Sequence, residues 1–290
     1  MTASSLSERK PFTDLGPDEL RQRLSRLKKL PTLPLLQQRI VSALEDSDID
    51  FENVAQLIEL DQALTSQILR LANSAFYGEQ GSISCVTQAL VMLGGAVARS
   101  LVLSSTVFDL KSAPVPGFWE HSLGCGVAAG AISEVTGRGV PEELTAAGLM
   151  HELGVVVLFS EFPEALEHIA ERVRTENRSV DEIEMEVLGL VHGDLGCLAE
   201  KWRFPACLAE PIMFHHSPEK ATAAVDEVAI VHVANSLVHG LGYGASLDSQ
   251  IPAIDTAAWQ RLELTPEVLD RVLATFAVDL DHALNYAILA

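Results

Sequence analysis

Apolar residues recur at steps of three and four along most of this chain, the period of helices that turn one face to a core. Leu20, Leu24, Leu27 and Leu30 set the first such face, in a helix that Pro17 can open. Pro31 and Pro34 punctuate the chain, and Pro34 can start the next helix, with Leu35, Leu36, Ile40, Val41 and Leu44 on its apolar side. Val54, Ala55, Leu57 and Ile58 continue the pattern within 51–60. Asp61 is placed to cap 62–72, whose core face is Leu64, Ile68, Leu69 and Leu71. Ser84 is placed to cap 85–93, and beyond Gly94 and Gly95 a helix is expected to run to about Leu110.

The clearest break is Lys111–Gly117, with two prolines and a glycine in seven residues, and a domain or subdomain boundary is placed there. Further helices are expected over roughly 118–136, 142–159, 163–175, 179–190, 193–201, 205–215, 222–240 and 265–286. No run alternates with the two-residue period of a strand. An all-α protein is therefore expected, packed as in helical folds that are not simple bundles.

Composition narrows the function classes. Apolar residues are 48% and charged residues 21% of the 290, which excludes general disorder. No uninterrupted apolar run reaches the ~18–20 residues of a membrane span. Met1–Pro11 is polar and lacks the apolar stretch of a signal peptide, so a cytoplasmic protein without a membrane partner is expected. Residues 1–30 hold seven basic and four acidic residues, so the remaining 260 carry −23 of the formal −20 net charge. A surface this acidic repels phosphate backbones, and no nucleic-acid partner is expected. The one dense basic run, Arg21–Lys29, reads as a solvated helix face. Cys85, Cys125, Cys197 and Cys207 form no C-x-x-C pair, and free, buried thiols are expected. Trp119 and Trp202 read as core anchors.

The nine histidines, His121, His151, His168, His192, His215, His216, His232, His239 and His282, all follow residue 120. His121 precedes a run of small residues, Gly124, Cys125, Gly126, Ala128, Ala129 and Gly130, against which another helix can lie closely. His151-Glu152 interrupts an apolar segment, His192 precedes Gly193-Asp194, and His215-His216 ends a helix at Ser217-Pro218. His232, Asn235 and His239 share one helical face by spacing. Imidazoles and carboxylates of this kind suit zinc, iron or manganese. Taken singly, His168, His239 and His282 read as hydrogen-bonded core residues. For His121, His151, His192, His215 and His216 the chemistry depends on whether they converge.

Several stretches together resemble the HDOD family, the HD-related output domain proteins of bacterial signalling. Leu30-Pro-Thr-Leu-Pro34 is similar to the family's opening motif. Asp61-Gln-Ala-Leu-Thr-Ser-Gln-Ile-Leu-Arg-Leu-Ala-Asn-Ser-Ala-Phe-Tyr-Gly78 resembles its most recognisable segment. Ala147–Gly154 resembles a degenerate HD signature. His192–Gly196, Lys201-Trp202, Pro205, His215–Pro218, Val233–Asn235 and Gly242–Gly244 follow in family order. The resemblance implies an all-α, multi-helix fold related to the HD phosphohydrolases, in which histidines and aspartates hold one or two metal ions. It implies a flexible segment over 1–16, an N-terminal helical part over 17–112, an HD-like part over 113–245 and C-terminal helices over 246–290. Motif order assigns His121, His151, Glu152, His192, His215, His216 and Asn235 as candidate metal ligands.

The departures from active relatives decide the expected function. Glu152 stands for an Asp and is one methylene longer, Asn235 lacks the charge of an Asp, and Val155 occupies the place of a lysine able to stabilise phosphate charge. The Gly-Tyr-Pro signature of the cyclic-dinucleotide phosphodiesterases is absent beyond His216. A non-catalytic signalling protein is expected, acting through a protein partner or a nucleotide ligand, with a vestigial site for a divalent iron, zinc or manganese ion. The alternative is a metal-dependent phosphohydrolase acting on a nucleotide or cyclic dinucleotide.

Overall fold

A computed structural model describes residues 31–288 apart from 33, 45–48, 74–82, 96–97, 99–101, 103–105, 108–114, 203 and 249. The expected helix around Leu20–Leu30, the basic run Arg21–Lys29, the terminal segment 1–16 and the boundary at 112–113 lie outside the described residues.

Helices dominate, as the periodicity requires. Among the described residues the first four are α1 (Pro34–Leu44), α2 (Phe51–Ile58), α3 (Gln62–Ala72) and α4 (Val86–Leu93). Asp50 caps α2, accepting from the Glu52 and Asn53 N–H groups, and Asp61 caps α3, accepting from the Leu64 N–H at 2.9 Å. Asn73 closes α3 by bridging the Leu69 carbonyl and the backbone of Ile83, a helix-ending role. Ser84 does not cap α4. Cys85 takes the cap position, and the Ser84 hydroxyl donates instead to Glu143 across the interface.

The helix expected to reach Leu110 stops earlier. Gly95, Ala98 and Val102 are helical, but Thr106–Val107 (β2) is extended and pairs in parallel with Pro31–Thr32 (β1). Two β-branched residues at 106–107 favour that conformation over continued helix. This two-residue ladder is the only sheet among the described residues.

The larger part follows as α5 (Phe118–Thr136), α6 (Pro141–Met150), α7 (Leu153–Glu161), α8 (Pro163–Glu176) and α9 (Val180–Leu188). Then come α10 (His192–Leu195), α11 (Cys197–Lys201), α12 (Ala206–Phe214), a 3-10 turn at Pro218–Lys220, α13 (Val225–Gly240), α14 (Thr256–Arg261) and α15 (Pro266–Ile288). The single helix expected over 142–159 is broken at His151–Glu152. The His151 ring donates from Nδ1 to the Gly148 carbonyl at 2.7 Å, the acceptor that a continuous helix would offer to the Glu152 N–H. Residues 141–161 are long and apolar enough to cross a membrane, and 78% of that window is buried in the protein.

One continuous apolar core runs from Ile40 to Phe276. Trp119 ties the two helical parts together, its indole N–H donating to the Leu60 carbonyl at 2.6 Å. Trp202 is buried, with the Arg70 guanidinium 4.9 Å from its ring centre. The cysteines are free, but of the four only Cys125 is fully buried and Cys197 is exposed. Four carboxylate contacts fix the start of α13: Glu210 accepts from the Thr222, Ala223 and Ala224 N–H groups and from the Thr222 hydroxyl.

Candidate metal centre

Two close helix approaches build the centre. α6 lies against the small-residue face of α5, and a Cβ at Gly148 would stand 2.5 Å from the Cys125 carbonyl oxygen. His151, one turn beyond Gly148, is thereby carried to His121, with ring centroids 5.4 Å apart. At Gly154 a Cβ would collide with the His192 carbonyl, so only glycine lets α10 meet the start of α7. That contact brings His192 to Glu152, with Nε2 3.5 Å from Oε2.

Six imidazoles form one connected cluster. His239 stacks near His121 at 4.5 Å, His121 near His151 at 5.4 Å, and His151 against His215 at 4.9 Å. His215 lies 5.3 Å from His192 and 4.2 Å from His216. His121, His151, Glu152, His192 and His215 are at most 1% exposed. Thus the five histidines in question converge, with Glu152 among them. Asn235 is also buried and its amide lies against His121.

Hydrogen bonding fixes which nitrogen of each ring faces inward. His151 gives Nδ1–H to Gly148, and His215 gives Nδ1–H to the Pro211 and Ile212 carbonyls at 3.2 Å. His192 Nδ1 is 2.9 Å from the Glu184 carboxylate, which also accepts the His192 backbone N–H at 2.7 Å. A carbonyl or carboxylate can only accept, so in all three rings Nδ1 is the donor, and Nε2 carries the lone pair whenever the ring is neutral. His192 Nε2 and His215 Nε2 stand 3.3 Å apart. Two nitrogens about 2.05 Å from a tetrahedral metal would stand about 3.3 Å apart. His151 Nε2, His216 Nε2 and Glu152 Oε2 are buried without a hydrogen-bond partner in the protein. Orphaned donors of this kind at ligand spacing fit a divalent cation.

The electrostatics follow from burial among like groups. Burial drives the His151 and His215 pKa values well below the ordinary imidazole value, and neighbouring histidines add to it. His121 is lowered to about 3 by burial and His239, and His216 to about 4 by burial and His192. Burial also opposes charge on His192, yet Glu184 and Glu152 raise it to about 10. The Glu152 carboxyl is lifted to about 7 by burial, with His192 pulling the other way. Neutral imidazoles are what a metal requires, a state burial favours at the other four rings and one that a cation would reach at His192 only by displacing a proton.

Some readings from the sequence need correction. His168 and His282 are exposed, not core residues, and His239 is half-buried, joining the rim of the cluster while its Nε2 lies 3.0 Å from the Ser246 hydroxyl. His232 shares a helix with Asn235 and His239, but both its nitrogens are used elsewhere. Nδ1 donates to the His215 carbonyl at 2.7 Å and Nε2 accepts the Asp255 N–H at 2.8 Å, making it a strut beneath the centre. Sequence reasoning missed Glu184, although it lies with Val180, Ile183 and Leu188 on the buried face of α9, where a carboxylate implies a buried partner. It also missed Cys125 as a donor and Asp248, whose Oδ2 is 3.9 Å from His216 Nε2.

The HDOD domain model matches residues 30–218, more than half of the chain. An uncharacterized protein of Treponema pallidum (strain Nichols) is 26% identical over 229 residues, covering 74% of this chain and 44% of its own. The chain therefore spans less than half the length of that relative. The MmoQ response regulator from Methylococcus capsulatus str. Bath superposes with a TM-score of 0.66 at 24% identity, over 85% of this chain and 98% of its own. An HDOD domain protein with unknown function from Geobacter sulfurreducens superposes with a TM-score of 0.50 at 27% identity, over 93% and 96% of the two chains.

Proposed function

The chain belongs to the HDOD family, and from that premise we propose that it is a non-catalytic, cytoplasmic signalling protein that acts by binding a partner protein, its histidine pocket holding a divalent cation. The observation that carries this reading is the set of inward Nε2 atoms on His151, His192 and His215, each fixed by an Nδ1 hydrogen bond. Around His215 the donors group as His192 and His216 on one side and His151 and Glu152 on the other, and these would hold the cation. Zinc, iron(II) and manganese suit such donors. A bound cation supplies Lewis-acid polarisation and, by binding only the folded chain, adds stability.

The chain's own residues support a holding role over turnover. Glu184 orients His192 and raises its basicity, and Gly148 fixes the tautomer of His151. Among the described residues, no lysine or arginine belongs to the centre. Val155, at the place of the expected lysine, is 2% exposed and packs in the apolar core. Asn235 brings no charge. A centre with no cationic side chain beside its imidazoles lacks the charge stabilisation that phosphoryl chemistry needs. MmoQ, which has this fold, is named a response regulator, in keeping with a signalling role.

One observation favours the second reading, a metal-dependent phosphohydrolase acting on a nucleotide or cyclic dinucleotide. A cleft of about 710 Å³ is lined by Phe159, Arg174, Ser246 and Asp248, among others. Ser246 touches His239 and Asp248 faces His216, so the cleft reaches the rim of the cluster. Turnover assays separate the readings. Protein supplied with zinc, iron(II) or manganese is expected to hydrolyse neither bis-p-nitrophenyl phosphate nor cyclic di-GMP. Hydrolysis that His151→Ala abolishes would overturn the proposal.

A further inference from the structure

His121 and Cys125 are one helical turn apart on α5, so their side chains share a face. Cys125 Sγ lies 3.5 Å from His121 Nε2. A nitrogen at about 2.05 Å and a sulfur at about 2.3 Å from one tetrahedral zinc would stand about 3.6 Å apart. His151 completes the group, and the ligand atoms of His121, Cys125 and His151 all lie within 4.8 Å of one another. All three side chains are 0% exposed. A weak thiol–imidazole hydrogen bond alone would leave His151 Nε2 buried and unpartnered, as it is in the protein, whereas a shared cation would use its lone pair.

We infer that Cys125 is a metal ligand, and that His121, Cys125 and His151 form a second, sulfur-containing subsite for a thiophilic divalent cation of the zinc class. The inference rests on reading the pocket as a cation site and adds a thiolate to it. Binding breaks the Cys125 S–H bond, the sulfur keeps both electrons and donates them to the cation, and the proton leaves to solvent, with no change of oxidation state. His151 has one inward lone pair, because its Nδ1–H is given to Gly148. It therefore serves one subsite at a time, and His192, His215 and Glu152 remain for the other. The thiolate biases the pocket toward zinc over manganese.

The test uses the full chain with Cys85→Ser, Cys197→Ser and Cys207→Ser, which leaves Cys125 as its single cysteine. The protein is loaded with cobalt(II) and its absorption recorded. A sulfur-to-cobalt charge-transfer band in the near ultraviolet is expected. Adding Cys125→Ser is expected to remove that band while the visible bands of imidazole-bound cobalt persist. If the fourfold variant does not fold, the band of the single-cysteine protein decides alone. Bound cobalt with visible bands and no charge-transfer band would overturn the inference and leave the proposed function standing. A folded protein that takes up no cobalt would overturn both.

Discussion

His192 Nε2 and His215 Nε2 face each other at 3.3 Å, although the Nδ1 of each ring is already held, by the Glu184 carboxylate and by the Pro211 and Ile212 carbonyls. Two lone pairs at that distance repel unless a proton or a metal ion lies with them. In the metal-free chain a proton fills the role, which is why Glu184 and Glu152 raise His192 to about 10 against the pull of burial. On the proposed reading a cation would replace it. The centre is thus a buried site that needs positive charge, built from groups whose orientation is set before anything binds.

Glu184 is the first consequence. Glu184→Gln keeps an acceptor for His192 but removes the charge that strengthens it. Cation affinity is expected to fall about 10- to 100-fold, as for other partners behind a metal-binding histidine. Competition against a chromophoric chelator measures this, with circular dichroism to show an intact fold. Unchanged affinity would show that Glu184 does not tune the site.

Stability should depend on pH in one direction. His121, His151, His215, His216 and His239 are all held below the ordinary value, chiefly by burial. As pH falls through about 6.5, the unfolded chain takes up protons that the folded chain refuses, so stability present above that pH is lost below it. Glu59, Glu152 and Asp248, all raised by burial, act in the opposite sense because the folded chain protonates them first. His192 contributes stability that is complete below about 6.5 and is lost progressively as pH rises from there through about 10. Five depressed imidazoles outnumber three raised carboxyls over about pH 5 to 6.5. The melting temperature of chelator-treated protein is expected to fall on acidification through that range, and a rise would contradict the electrostatic account.

Packing of α5 on α6 gives a stability test independent of metal. Gly148→Ala forces a methyl onto the Cys125 carbonyl and is expected to cost about 1–3 kcal/mol in urea unfolding. Gly240→Ala meets nothing within 4 Å and is expected to stay within about 0.5 kcal/mol of the parent. Equal effects at the two glycines would contradict the close approach.

The sequence carried the faces of helices better than their meeting points. Leu64, Ile68 and Leu69 showed the buried side of α3, and Asp61 its start, because period and capping are local. Spacing could not place His121 beside His151, since that contact depends on how closely Gly148 lets two distant segments approach. Family resemblance supplied what spacing lacked, naming seven of the residues that meet or line the centre. Neither found the break at His151–Glu152, where a side chain captures a backbone carbonyl, nor the pairing of Thr106–Val107 with Pro31–Thr32, which is too short to show an alternation. α14 went unread because six residues hold fewer than two turns, although Asp255 caps it.

Elemental analysis of protein purified without an affinity tag tests the central claim most directly. About one or two equivalents of zinc, iron or manganese per chain are expected from the donor sets. In a folded His192→Ala/His215→Ala variant the cation of their subsite is expected to be lost. A folded parent protein that carries no metal, and takes up none when zinc, iron(II) or manganese is supplied, would contradict the account.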